Sequence, residues 1–180
     1  MNFTSDLIHE VQNEALDNDM CLLVDETDKY LGAATKRACH RVGDDGKLLL
    51  HRAFSVLMFN TAGDILLQQR TSQKLQPKDF TLLARILYMD PGDGVWGEFE
   101  LDYVLILQKD VDIKPNPDEV ADIQYVPRNK FDNFIANLKY PVTPWFKLMY
   151  RHMLPYWWDN LHRLDEIAEP QKIRSFVKKL

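Results

Sequence analysis

Two stretches, "RAFSVLMF" (52–59) and "LLARILYM" (82–89), are apolar at almost every position, and they limit the fold more than anything else in the chain. A strand with one wet face alternates apolar and polar residues. A strand without that alternation has to be covered on both faces, which calls for layers on either side of a sheet. The flanking residues agree: "NTAGD" (60–64) is a Gly-containing turn, and "ILLQQR" (65–70) returns as a hairpin partner. "DPGDG" (90–94) is a second turn, leading from "LLARILYM" into "FELDYVLIL" (99–107). The expected fold class is α/β (α+β), a mixed β-sheet packed between helices.

Leu7, Ile8, Val11 and Ala15 have helical spacing, which predicts a short helix over 5–16. "MCLLVD" and "DIQYV" read as further strands, and "DETDKY" as a turn. Phe131, Phe134, Ile135 and Leu138 mark a helix, and 144–178 reads as mostly helical, interrupted at Pro155 and Pro170. A chain of 180 residues with 46% apolar content fits one domain over 1–180, with 1–19 as an N-terminal helical extension.

A net charge of −5 argues against nucleic acid held by bulk charge. Basic residues nevertheless gather between Lys36 and Arg85, while the first 28 residues hold none, a distribution that suits a small anion. Cys21 and Cys39 are too few for a disulfide framework and point to a reducing compartment. No apolar run reaches bilayer length, and the acidic N-terminus resembles neither a secretory nor a mitochondrial leader. The C-terminal "KKL" falls one residue short of the peroxisomal S-K-L address. The expectation is a cytoplasmic monomer with no membrane partner, with the peroxisome as second compartment.

In "WGEFELD", Glu98 and Glu100 stand two apart on a strand, so both carboxylates share a face and repel unless a cation or water lies between them. With His40 and His51 they make a donor set suited to Zn²⁺, Mn²⁺ or Fe, although a solvated sheet face and hydrogen-bonded core histidines explain the same residues. Lys36, Arg70 and Lys74 offer an anion clamp, or ordinary edge charges. Trp145 and the Trp157–Trp158 pair are core aromatics or an indole face for a positive centre. Tyr88 ends a strand, where a phenol serves core or site.

In order along the chain stand "TKRACH", "LLHRAFSVLMFNTAGDILLQQR", "GVWGEFELDYVL", "PNPDEV", "TPWFK" and "WWDNL". The set resembles type I isopentenyl-diphosphate Δ-isomerases, of the Nudix superfamily. That resemblance implies a step of isoprenoid synthesis, the interconversion of isopentenyl and dimethylallyl diphosphate by adding a proton to one carbon and removing one from another. It implies His40, His51, Glu98 and Glu100 as ligands of a divalent metal, Mg²⁺ or, at this His/Glu set, Zn²⁺ or Mn²⁺. It also implies Glu100 in proton transfer with Tyr88 beside it, Trp145 facing a tertiary carbocation, and Lys36, Arg70 and Lys74 on the substrate diphosphate.

The chain departs from the pattern at "TSQKLQPKDF" (71–80). After the lysine matching Lys74 the family runs through T-N-x-C-x-H-P into the Nudix helix. That segment supplies the partner acid/base Cys, another metal-binding His and the helix Glu of a second metal. Here Lys74 is followed at once by Leu75, which resembles sequence beyond the helix, so an internal deletion is expected at 74–75. The chain then reads as an inactive or severely impaired isomerase; the alternative is a dead diphosphate-binding or regulatory paralogue. Diphosphate hydrolysis ranks below both, because it relies on the absent helix glutamates.

Overall fold

The computed structural model describes residues 13–67, 77–112, 123–139 and 141–177. Its strands are β1 (Met20–Val24), β2 (Tyr30–Thr35), β3 (His51–Phe59), β4 (Ile65–Leu67), β5 (Thr81–Asp90), β6 (Glu98–Gln108), β7 (Gln124–Val126) and β8 (Ile173–Ser175). The helices are α1 (13–18), α2 (Lys36–His40), α3 (Phe131–Ala136), α4 (Pro144–His152), α5 (Leu154–Asp159) and α6 (Leu164–Ile167). The strands form one mixed sheet in the order β2-β1-β3-β6-β5-β8, with β4 on β3 and β7 on β4. The fold is mixed α/β, as the doubly apolar strands require. Among the described residues no helix is long and apolar enough to cross a membrane.

Two local readings are corrected. Ile173–Ser175, inside a stretch expected to be helical, is a strand parallel to β5, pairing Ile173 with Arg85. Ile173 and Val177 pack on the buried cluster Val24, Leu87 and Leu101, and that burial overrides helical spacing. The sequence marks no element over 31–40 and a turn as far as Tyr30, yet 30–40 forms β2 and α2. Thr35 ends β2 and caps α2, its hydroxyl accepting the Ala38 N–H at 3.2 Å. Between β4 and β5 the described residues hold only a 3-10 turn, Pro77–Asp79.

The chain divides into two compact units. The first takes residues up to Phe54, Ala84–Tyr103 and those from Gln171 onward. One face of its sheet is keyed by Asp28, a buried residue with φ +73° in the turn between β1 and β2. Its carboxylate accepts Arg52 Nε at 2.6 Å, Arg85 Nη1 at 2.6 Å and the Tyr103 hydroxyl. Burial alone would raise the Asp28 pKa, but these three donors outweigh it and hold the carboxyl below its usual range. A depressed carboxylate pKa contributes stability above the unfolded value near ~3.9, lost as pH falls through the folded value. Asp28→Asn is therefore expected to cost about 2 kcal/mol at pH 7. In urea titrations the gap from wild type should close as pH drops below about 4; a pH-independent gap would mean that packing, not charge, carries the effect.

On the same first unit Leu23 stands opposite His51. Alternation along the strands then puts Met20, Leu22 and Phe54 together on the opposite face. These are 59%, 44% and 73% exposed, although β3 has a neighbour on each side. A phenylalanine that open on an interior strand is apolar surface without a cover.

The turn from β5 to β6 is as tight as "DPGDG" suggested. Gly92 has φ +56°, and a Cβ there would sit 1.9 Å from the Trp96 carbonyl oxygen. The Asp93 carboxylate accepts the N–H groups of Val95 and Trp96 at 2.9 and 2.8 Å. Gly92→Ala should cost about 2–3 kcal/mol, from left-handed strain plus the clash. A melting point within a degree of wild type would show that the turn opens freely.

The second unit takes Ser55–Leu83 and Val104–Pro170. Its aromatic core joins Phe59 to Trp158 (centroids 5.3 Å apart) and Phe131 to Trp158 (5.1 Å), Tyr150 (5.4 Å) and Phe146 (6.3 Å). The Trp158 indole N–H donates to the Gly63 carbonyl at 2.6 Å, so this buried ring keeps its polar atom satisfied. Trp157 and Trp158 are core residues.

Candidate metal centre

His40 closes the short helix α2, and its Nδ1 lies 2.8 Å from the Lys36 carbonyl one turn back. His51 opens β3 with Nδ1 3.0 Å from the Leu49 carbonyl. A carbonyl only accepts, so each Nδ1 carries the proton and, in a neutral ring, each Nε2 offers a lone pair. Both Nε2 atoms lie near one oxygen: Glu100 Oε1 is 3.5 Å from His40 Nε2 and 3.4 Å from His51 Nε2. The rings meet edge to face, centroids 4.8 Å apart.

The three ligand atoms lie within 4.8 Å of one another. Three acceptors do not converge in a buried site without a proton or a cation among them. Two ligands ~2.1 Å from a shared ion at the tetrahedral angle stand ~3.4 Å apart, so the spacing fits a divalent ion better than a direct hydrogen bond. The residues present therefore fit a metal. Two main-chain carbonyls supply the outer support that fixes ring orientation.

Glu98 lies outside this trio. Tyr88, buried on β5, places its hydroxyl 2.9 Å from Glu98 Oε2 and 2.6 Å from Glu100 Oε2. A phenol has one hydrogen, so it cannot donate to both carboxylates at once. Burial and the neighbouring Glu100 charge push Glu98 up, despite the Tyr88 bond. Burial also acts to raise Glu100, but His40, His51 and Tyr88 outweigh it and hold it at about 2. His40 is raised, chiefly by Glu100. Burial, then the two carboxylates, drive the Tyr88 phenol far above its ordinary range. One face thus holds a charged carboxylate, a carboxyl that retains its proton more readily, and a hydroxyl between them.

The other expected site residues are placed as follows. Lys36 is exposed in the first turn of α2, on the helix that ends in His40. Arg70 and Lys74 lie outside the described residues. Trp145 belongs to the second unit, half-buried in the first turn of α4, its ring 5.7 Å from Phe146. The sequence reading missed Arg37, which holds Asp17 of α1 through Nε (2.5 Å) and Nη2 (3.0 Å) and lies 5.9 Å from the Trp96 ring. It also missed the Gly97 N–H bond to the His40 carbonyl at 2.9 Å, a main-chain tie with no sequence signal. Cys39, wholly buried beside His40, has Cys21 as its thiol partner, and burial pushes it up to about 12.

No family model matches the chain. Several known proteins do. Isopentenyl-diphosphate Delta-isomerase 1 of Mesocricetus auratus is 32% identical, covering 86% of this chain and 91% of that protein. Isopentenyl-diphosphate Delta-isomerase I of Camptotheca acuminata is 33% identical, over 93% of this chain and 95% of its own length. The chloroplastic isopentenyl-diphosphate Delta-isomerase 1 of Cannabis sativa is 34% identical, over 93% and 78%. The hamster match runs over 206 residues, more than the 180 this chain possesses, so several dozen matched positions have no residue here. At these identities and coverages the chain belongs to the isopentenyl-diphosphate Δ-isomerase family.

Proposed function

We propose that His40, His51 and Glu100 hold a divalent metal, Zn²⁺ or Mn²⁺ at this donor set, within a site built to isomerise isopentenyl diphosphate, and that this chain lacks half of the machinery. The convergence of two Nε2 lone pairs and Glu100 Oε1 carries the reading. A bound ion would hold Glu100 as a charged carboxylate and supply fixed positive charge.

The chain's own groups account for one face of the reaction. An unactivated alkene is a poor base, and protonating it needs an acid held against the carbon in a dry site. Tyr88 between Glu98 and Glu100 forms a buried relay able to deliver or accept one proton. By the family resemblance Trp145 would be the indole for the cation that follows, and Lys36, Arg70 and Lys74 would take the diphosphate, whose Mg²⁺ accompanies it as substrate. Isomerisation also removes a proton from the opposite face, and there the described residues offer no partner. Cys39, buried against Cys21, does not present its thiol to a substrate.

The absent partner belongs to the segment missing at Lys74–Leu75. The surplus length of the hamster match and the uncovered Phe54 support that reading. Genomic sequence around codon 74 tests the origin: an in-frame exon encoding T-N-x-C-x-H-P marks a shortened isoform or incomplete gene model, and uninterrupted coding marks a dead paralogue.

The metal is tested directly. After dialysis against Zn²⁺ or Mn²⁺, elemental analysis should find sub-stoichiometric metal, because an incomplete shell binds weakly. Glu98→Ala should lower affinity within the ~10–100-fold typical of a supporting partner, and Glu100→Ala by more. Full occupancy unmoved by Glu100→Ala would place the ion elsewhere.

A further inference from the structure

Cys21 sits on β1 and Cys39 on α2, and both are free thiols. Cys21 shares a sheet face with Leu23 and hence with His51, the face over which α2 lies. Helix α2 is lashed to the start of β1 by the Lys36 N–H, which donates to the Asp19 carbonyl at 2.8 Å. That anchor brings the one remaining turn of α2 back onto β1, and there the two thiols are neighbours. Cys21 is partly exposed, whereas Cys39 has no exposed surface. One thiol can therefore be reached from solvent, and the other can be reached only through it.

We propose that Cys21 and Cys39 are a redox modification site that a low-molecular-weight disulfide converts to an internal disulfide. The Cys21 thiolate attacks one sulfur of the small disulfide, forming a mixed disulfide and releasing one small thiol. The Cys39 thiolate then attacks the Cys21 sulfur and expels the second small thiol. Two protein thiols are oxidised by two electrons, the small disulfide is reduced to two thiols, and both cysteine protons pass to the departing thiolates. Thiol-disulfide exchange runs through the thiolate, so it is faster in alkali. The bond pins the helix that carries Lys36 and His40 onto the strand beside it. An intramolecular bond in a chain otherwise suited to a reducing compartment is of the transient, regulatory kind.

The test uses the whole chain incubated with oxidised glutathione at pH 8.5 and analysed by intact mass and peptide mapping. The expected product is lighter than the reduced chain by the mass of two hydrogens, with one Cys21–Cys39 linked peptide. Its melting point should rise by several degrees and return to the starting value with dithiothreitol. Cys39→Ser should stop at the glutathione adduct on Cys21, and Cys21→Ser should stay unmodified while folded. A wild-type product that keeps the glutathione adduct overturns the proposal, as does linkage between two chains or modification of Cys39 in the Cys21→Ser variant. Metal retention, measured on oxidised and reduced protein alike, separates this site from the donor trio. Oxidation that proceeds equally in Glu100→Ala leaves the thiol pair standing even if the metal reading fails.

Discussion

Incubated with isopentenyl diphosphate and Mg²⁺, this chain is expected to form dimethylallyl diphosphate at least ~10²–10⁴-fold more slowly than an intact relative, the loss typical of removing one member of an acid/base pair. On this reading the opposite-face proton carrier is lost together with one metal-binding His. Tyr88, Glu98 and Glu100 remain assembled within hydrogen-bond reach, so proton delivery from that side keeps its geometry. Among the described residues no group is placed to take the return proton, so a cation formed in the site is expected to revert rather than proceed. Inserting the family's T-N-x-C-x-H-P segment and following helix between Lys74 and Leu75 should restore turnover, and changing the inserted Cys to Ala should abolish it again. Wild-type turnover near that of an intact relative would sink the proposal. It would require a second proton carrier among residues that here have other partners.

The same insertion should raise the melting temperature. Met20, Leu22 and Phe54 leave apolar surface on one sheet face. If the missing cover would bury on the order of 300 Å² there, its absence costs roughly 7 kcal/mol at ~25 cal/mol/Å². Partial collapse of the denatured chain makes that an upper figure. Set against a typical total stability of ~5–15 kcal/mol, even half of it is severe. We expect the restored chain to melt roughly 5–15 °C higher and to lose binding of a hydrophobic dye. Phe54→Ala separates the causes: it should cost little in the short chain and about 3 kcal/mol once the ring is covered. Equal melting points and equal Phe54→Ala effects in both chains would show that the short connector leaves a settled fold.

The sheet was legible where one physical demand dominated. Nearly continuous apolar runs at 52–59 and 82–89 read as interior strands, and "DPGDG" as a turn, where Gly92 has no room for a side chain. The last strand was not legible. Its three residues gain their conformation from Arg85, Ile86 and Leu87, nearly ninety positions earlier, and helical spacing nearby is silent on that. In the site, period-two alternation correctly set Glu98 and Glu100 on one face. It did not separate them, since their difference lies in which oxygens meet Tyr88 and which meet two imidazoles. The pairing of His40 with His51 depends on two main-chain carbonyls, and carbonyls leave no trace in a residue pattern.

Asp28 bears on how the chain reaches its fold at all. Its partners Arg85 and Tyr103 lie 57 and 75 positions away, on the far side of the Lys74–Leu75 junction. Drawing such ends together is a polymer-closure problem, and each doubling of the intervening length costs about 0.6 kcal/mol more in entropy. A chain carrying several dozen extra residues at that junction closes a markedly longer ring around Asp28 than this one does. A deletion at that junction would therefore also make the contacts at Asp28 easier to close, by a few tenths of a kcal/mol. Synthesis feels the same separation: Asp28 gains its last donor, Tyr103, only after Glu100 has already become available to His40 and His51.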